Sequence, residues 1–172
     1  MATYTLISSN VLSSSAASVT FSAIPATYTD LVLKASVRSD AAATVKETEI
    51  VFNADTATNY SFTNILGLGT NGAATQQYGS QTYGWTGKIA AASSTSNTFA
   101  NLEIYIPSYA ASINKQFSID NMNENNTGIV EATAGVGGLW SNTAAITSIL
   151  FYPRSSNFVS GSSFYLYGIS NA

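Results

Sequence analysis

The stretch Asp30-Leu31-Val32-Leu33-Lys34-Ala35-Ser36-Val37-Arg38 puts Leu31, Leu33, Ala35 and Val37 at every second position. Val32, Lys34, Ser36 and Arg38 fall between them. A period of two is the repeat of a half-buried strand, and no window of the chain sustains the helical period. That contrast limits the fold more than any other feature. Ile50 and Phe52 share an inward face, as do Leu102, Ile104 and Ile106, with Glu103 and Tyr105 opposite. Phe117 and Ile119 alternate with Ser118 and Asp120; Phe164 and Leu166 alternate with Tyr165 and Tyr167. Shorter strands are expected at Tyr4–Ile7, Val19–Phe21, Phe62–Leu66, Tyr83–Ile89 and Ile146–Tyr152. A further one is expected near Ile129–Ala134, broken by Gly135-Val136-Gly137-Gly138. Residues 53–82, rich in Asn, Gly, Gln and Thr, read as long loops around the Phe62–Leu66 strand. Together these predict an all-β, antiparallel sandwich of about 8–10 short strands. No fixed-period repeat is visible, which argues against a solenoid or propeller. A length of 172 residues suits one domain with a core.

The residue types narrow the chemistry. The chain has no His and no Cys. That excludes a Ser-His-Asp triad, an imidazole base, a thiolate nucleophile, a disulfide framework and Cys- or His-ligated metals. A carboxylate pair, a Ser-Lys dyad or an oxygen-ligated cation remains. The six cations, Lys34, Arg38, Lys46, Lys88, Lys115 and Arg154, are scattered singly. Without a clustered basic face, no nucleic-acid partner is expected. Apolar runs such as Ile149-Leu150-Phe151-Tyr152 are strand length, against roughly 20 residues for a bilayer span, so no membrane association is expected. The opening Met-Ala-Thr-Tyr-Thr-Leu-Ile-Ser-Ser-Asn does not read as a secretory signal. Residues 149–152 are apolar on both faces, which hints at a subunit contact.

Candidate sites follow from residue type. Tyr78, Tyr83 and Trp85, set among Gln76, Gln77 and Gln81, suit a glycan, because sugar rings stack on aromatic faces while amides bond hydroxyls. The same residues equally suit packing or an interface. Trp140 reads as core. Glu103 and Glu131 are the least loop-like carboxylates, and their expected role is outward solubilising charge. Asp120–Asn126 carries oxygen ligands but lacks EF-hand spacing, and reads as a polar turn. Gly67-Leu68-Gly69-Thr70-Asn71-Gly72 lacks the context of a dinucleotide loop. The sequons at Asn59 and Asn125 read as chance. No catalytic residue, metal or cofactor is expected.

Val19-Thr20-Phe21-Ser22-Ala23-Ile24-Pro25-Ala26-Thr27-Tyr28-Thr29-Asp30-Leu31-Val32-Leu33 resembles the opening of a group of small virion proteins of aquatic tailed bacteriophages. The resemblance continues at Asn59-Tyr60-Ser61-Phe62, across Leu139–Ile149 and through Gly161–Ile169. It spans about residues 16–169, though residues 66–98 match nothing in the group. It implies a jelly-roll-like sandwich, with residues 1–15 as an N-terminal arm containing the first short strand and residues 16–172 as one domain. Members of the group occur on virion surfaces, either decorating the capsid or as modules of tail fibres. With the small size and the arm, the resemblance leads to the expectation of a capsid decoration (cement) protein on the outer shell of the virion after synthesis in the host cytoplasm. The missing His, Cys and identifiable carboxylate pair lead to the expectation of no enzyme. The implied partners are the major capsid protein and copies of the chain itself, a trimer being favoured. Tyr4, Leu6, Ile7, Val11 and Leu12 are the arm residues expected to contact the capsid or a neighbouring subunit, by adding a strand. The alternative is a receptor-binding, glycan-adhesion module of a tail fibre, carried by Tyr78, Tyr83 and Trp85. The group supplies no defined catalytic or binding residues.

Overall fold

A computed structural model of the chain describes residues 2–68, 72–124 and 133–170. The alternating segments form β1 (Thr3–Val11), β2 (Val19–Phe21), β3 (Asp30–Val37), β4 (Val45–Phe52), β5 (Tyr60–Gly67) and β6 (Ala73–Gln81). They continue as β7 (Gly84–Ala90), β8 (Ala100–Ile106), β9 (Lys115–Met122), β10 (Thr133–Trp140), β11 (Ile149–Pro153) and β12 (Ser163–Ser170). No helix occurs among the described residues. The fold is an antiparallel, jelly-roll-like β-sandwich. Its large sheet has eight strands in the order β1-β12-β3-β8-β9-β10-β5-β6, and its small sheet has four in the order β2-β11-β4-β7.

Period-two alternation builds the core directly. Leu31, Leu33, Ala35 and Val37 of β3 turn inward and pair in register with Ile106, Ile104, Leu102 and Ala100 of β8. Two aromatic clusters join the sheets. Phe52 of the small sheet meets Tyr60, Phe117 and Trp140 of the large one, with ring centroids 6.1, 5.5 and 5.6 Å away. Phe151, Phe158 and Phe164 form the second, at 5.0–6.0 Å. Trp140 is fully buried, as its pattern implies, and its indole N–H donates to Asp55 Oδ2 at 2.8 Å. Asp55 also accepts from Asn59 at 2.8 Å, and these bonds hold its carboxyl below the usual aspartate range.

Several expectations change. Twelve strands form among the described residues, against the eight to ten expected. Residues 53–82 are not mainly loop: β5 and β6 form a long hairpin there, with Ser61 and Thr63 at outward positions of β5 and polar Thr, Gln and Ser filling the edge strand β6. The segment expected as an arm contains a nine-residue strand, β1, paired along β12 from Thr3↔Ser170 to Val11↔Ser163. Its Ser and Asn residues mask the alternation. Gly135–Gly138 does not break a strand but lies within β10. Residues 129–132 of the strand expected before it lie outside the described residues.

The glycines of β10 have a packing reason. A Cβ on Gly138 would sit 2.1 Å from ring atoms of Phe117, and one on Gly84 of β7 would sit 2.7 Å from the same ring. Phe117 therefore lies between two glycines that have no side chain to push it away. Gly87 has a different role: with φ +103° it sits at the bulge that interrupts the β4–β7 ladder between Thr48 and Glu49.

Two of the six cations serve as loop clamps. Buried Arg38 donates to the carbonyls of Thr95 and Thr98, each at 2.9 Å, and to Ser94 O at 3.2 Å. Fully buried Lys115 donates to Ala111 O at 2.7 Å, to Ile113 O and to Thr143 O, and burial lowers its pKa.

The two sheets differ in width. β7 closes the small sheet above β9, β10 and β5, and the large sheet continues one strand further, to β6.

Adjacent glycines of β10 test this packing. Gly138→Ala should lower the unfolding free energy by about 1–3 kcal/mol through overpacking against Phe117. Gly137→Ala, where a Cβ meets open space, should be neutral or stabilising by up to about 1 kcal/mol. Urea denaturation of both variants measures the contrast, and equal effects would refute it.

Candidate functional site

The overhang of β6 creates a cleft. The β5–β6 register pairs Phe62 with Tyr78 and Asn64 with Gln76, so these four side chains share the inner face. Among the described residues, no strand of the small sheet follows β7 over β6. Tyr83, Trp85 and Lys88, with Glu47 of β4 and Arg154 just after β11, form the facing wall. The enclosed space is about 160 Å³.

The three aromatic residues singled out by sequence meet here, around a ring the sequence reading placed only in a strand. Phe62 lies 5.1 Å from Tyr78, 6.3 Å from Tyr83 and 6.2 Å from Trp85, the last stacked at 20°. Their exposures differ. Tyr78 is 42% exposed and Tyr83 half-buried, whereas Trp85 is only 6% exposed. Trp85 thus packs beneath the cleft, and the two tyrosines present ring surface to it.

Asn64 is the unforeseen member. It is 1% exposed, and neither atom of its carboxamide has a hydrogen-bond partner among the described residues. Its inward neighbours along β5 are Tyr60, Phe62 and Leu66. A polar residue in register with an apolar alternation was visible in the sequence and is the signal that could have flagged it.

Electrostatically the wall is balanced. Arg154 Nη1 donates to Glu47 Oε2 at 3.1 Å, Nε lies 3.3 Å from Glu49 Oε1, and the guanidinium stands 5.6 Å from the centroid of Tyr83. The Glu49 contact lies outside hydrogen-bond geometry, leaving Oε1 without a bond. Burial pushes the Glu49 carboxyl up, opposed by a hydrogen bond from Tyr152 and by the charge of Arg154. Burial likewise raises Tyr83 and Tyr152.

A second surface surrounds β1. Tyr4, Leu6 and Val11 are 56%, 50% and 60% exposed, on the outer face beside Tyr165 and Tyr167. The Tyr4 and Tyr167 rings meet edge to face at 6.4 Å. Ile7 and Leu12, by contrast, turn partly inward and pack on the core. β1 ends the sheet, so one of its edges is unpaired among the described residues. Its sequence, TYTLISSNV, has neither charge nor proline, and its only irregularity is a bulge between Leu6 and Ser8. β6 at the opposite edge, AATQQYGSQ, is equally uncharged. Charge and proline are usual protections of edge strands against pairing with other chains.

The remaining candidates are less constructive. Glu103 points outward and pairs with Lys34 at 2.9 Å, while Glu131 lies outside the described residues. Asp120 to Met122 belong to β9, so the expected turn begins later, and residues 125–126 lie outside the described residues. No group of three or more His, Cys, Asp or Glu among the described residues is placed to hold a metal. Asn59 is engaged with Asp55, and the Asn125 sequon lies outside the described residues. Residues 69–71 of the glycine-rich segment also lie outside them. A broader depression of about 580 Å³ on the outer face of the large sheet lies over Gly137, between Thr63, Gln77, Gln116 and Ser118.

No protein-family model and no curated protein matches the chain. Among solved structures, the chain is similar to the crystal structure of Caenorhabditis elegans galectin LEC-6. The identity is 10%, covering 95% of this chain and 96% of that one, with a TM-score of 0.37.

Glu49 makes the stability depend on pH in a defined direction. Its folded pKa lies above the ordinary value of 4.5, so the folded chain binds this proton more tightly than the unfolded chain. Its contribution is largest below pH 4.5 and declines as pH rises through the folded pKa. The melting temperature of Glu49→Gln minus that of wild type should therefore increase from pH 4.5 toward neutrality. A flat difference across a pH series of thermal melts would contradict this.

Proposed function

We propose that the protein is a non-enzymatic structural component of a tailed-phage virion: a capsid decoration protein that binds the outside of the major capsid protein shell and stabilises it. The sequence resemblance supplies the class. The observation that carries the reading structurally is the unprotected edge strand β1, bordered by exposed Tyr4, Leu6 and Val11.

The physical logic is strand addition. An unpaired edge offers a row of N–H and C=O groups to an extended segment of a neighbour, and main-chain hydrogen bonds tolerate varied partner sequence. Because β1 is already held by β12, the edge is presented ready-ordered, which reduces the entropy lost on docking. A surface of Tyr, Leu, Val, Ser and Asn also avoids the desolvation cost of burying charge. Copies of the chain, a trimer being favoured, would each add contacts between capsomers and resist internal DNA pressure. The second reading is a tail-fibre module for glycan adhesion, favoured by the gathering of Tyr78 and Tyr83 in one cleft.

Virion location separates the two. Antibody labelling with electron cryomicroscopy should find hundreds of copies covering the head; a few copies at the tail would overturn the decoration reading. The double substitution Leu6→Lys, Val11→Lys adds edge charge at exposed positions and should leave the melting temperature within a few degrees of wild type. It should reduce occupancy of undecorated heads at least about tenfold, the effect of losing roughly 1.4 kcal/mol of binding. Full occupancy by that variant would remove β1 from the interface.

A further inference from the structure

We propose that the cleft between β6 and β7 binds one neutral sugar residue, with Asn64 bonding a pair of its hydroxyls and Tyr78 and Tyr83 meeting its ring. The inference is independent of head binding, since β1 lies at the other end of the large sheet.

Asn64 is the starting point. A buried carboxamide with both atoms unbonded is costly, and such groups in folded proteins have a reason. Neighbouring inward positions of β5 are filled by Tyr60, Phe62 and Leu66, so an apolar side chain would satisfy the sandwich better. The residue instead borders the cleft, directly opposite exposed Gln76. Both amide atoms are shut off from solvent, so binding requires a side chain to move, and Gln76, exposed on the edge strand opposite, is the one we assign.

A carboxamide presents one donor and one acceptor side by side. Two adjacent hydroxyls match it: one accepts from Nδ2 while the other donates to Oδ1. The ring bearing them has apolar C–H faces, and the exposed surfaces of Tyr78 and Tyr83 are flat apolar partners for those faces. Gln76 and Gln81 add further amides around the mouth. Charge argues for neutrality, because Glu47 and Glu49 are offset by Arg154 and Lys88. A bound ion would have to disturb the Arg154 pairs. A space of about 160 Å³ accommodates one ring, so further units of an oligosaccharide would extend over β6 into solvent.

Saturation-transfer NMR on the full chain, with galactose, glucose, mannose and the charged N-acetylneuraminic acid, tests the proposal. At least one neutral hexose should receive transfer to its ring C–H protons. Tyr78→Ala, at an exposed position, should weaken its affinity about tenfold. Asn64→Leu should abolish binding while leaving the melting temperature unchanged or higher. Absence of transfer to every neutral hexose at tens of millimolar would overturn the proposal. So would binding unchanged in both variants, or preference for the charged sugar. A higher melting temperature in Asn64→Leu with binding intact would mean that Asn64 holds only a buried water. Should Asn64→Leu fail to fold, Tyr78→Ala alone decides.

Discussion

Eight strands packed on four cannot be covered across their whole width, and the rest of this molecule depends on that mismatch. The small sheet seals the middle of the large one, where Phe52 and Phe117 bridge the layers and two glycines make room for the Phe117 ring. Beyond β7 no strand among the described residues covers the inner face of the hairpin β5–β6. Residues that would otherwise be core line a cleft there, and an unbonded amide lies within an apolar row. At the other end, β1 extends the large sheet and leaves an uncharged edge. Both candidate surfaces are thus consequences of one architectural inequality.

Part of the scarce charge lies inside the protein: Asp30, Arg38, Glu49 and Lys115 are buried. Arg38 and Lys115 satisfy loop carbonyls that would otherwise be buried without donors, and Arg154 ties β4 to the segment after β11. A buried cation loses solvation, which burial makes visible in the lowered pKa of Lys115, but several carbonyl oxygens at close range replace the water. The outer faces carry mostly Ser, Thr, Asn, Gln and Tyr, with few charges such as the Lys34–Glu103 pair. Such surfaces associate without stripping water from ions, and they also rely little on salt-sensitive attraction.

Much of the fold was legible because alternation reports directly on a two-faced sheet. Leu31–Val37, Leu102–Ile106 and Phe164–Leu166 lie inward as their spacing requires. Legibility failed where composition hid the pattern. β6 has few apolar residues, and in β1 the Ser-Ser-Asn run after Ile7 interrupts the alternation, so both edge strands read as arm or loop. β10 keeps glycines for close packing against Phe117, which reads locally as a break. For the cleft, the aromatic trio was recognisable by residue type, but the deep burial of Trp85 was not. Nor was the presence of Asn64 and Arg154 beside it, because they come from segments far apart in the chain.

By itself, the sequence determined the class of structure and the chemistry it lacks. Period-two alternation demands sheets with one buried face, and a chain without His or Cys has no imidazole or thiolate to offer. Only the tertiary structure decided which strands stand at the edges, how far one sheet outreaches the other, and which side chains face each other across the gap. Those outcomes depend on pairings between residues tens of positions apart. A local pattern can say that a face is buried, but it cannot say what covers it.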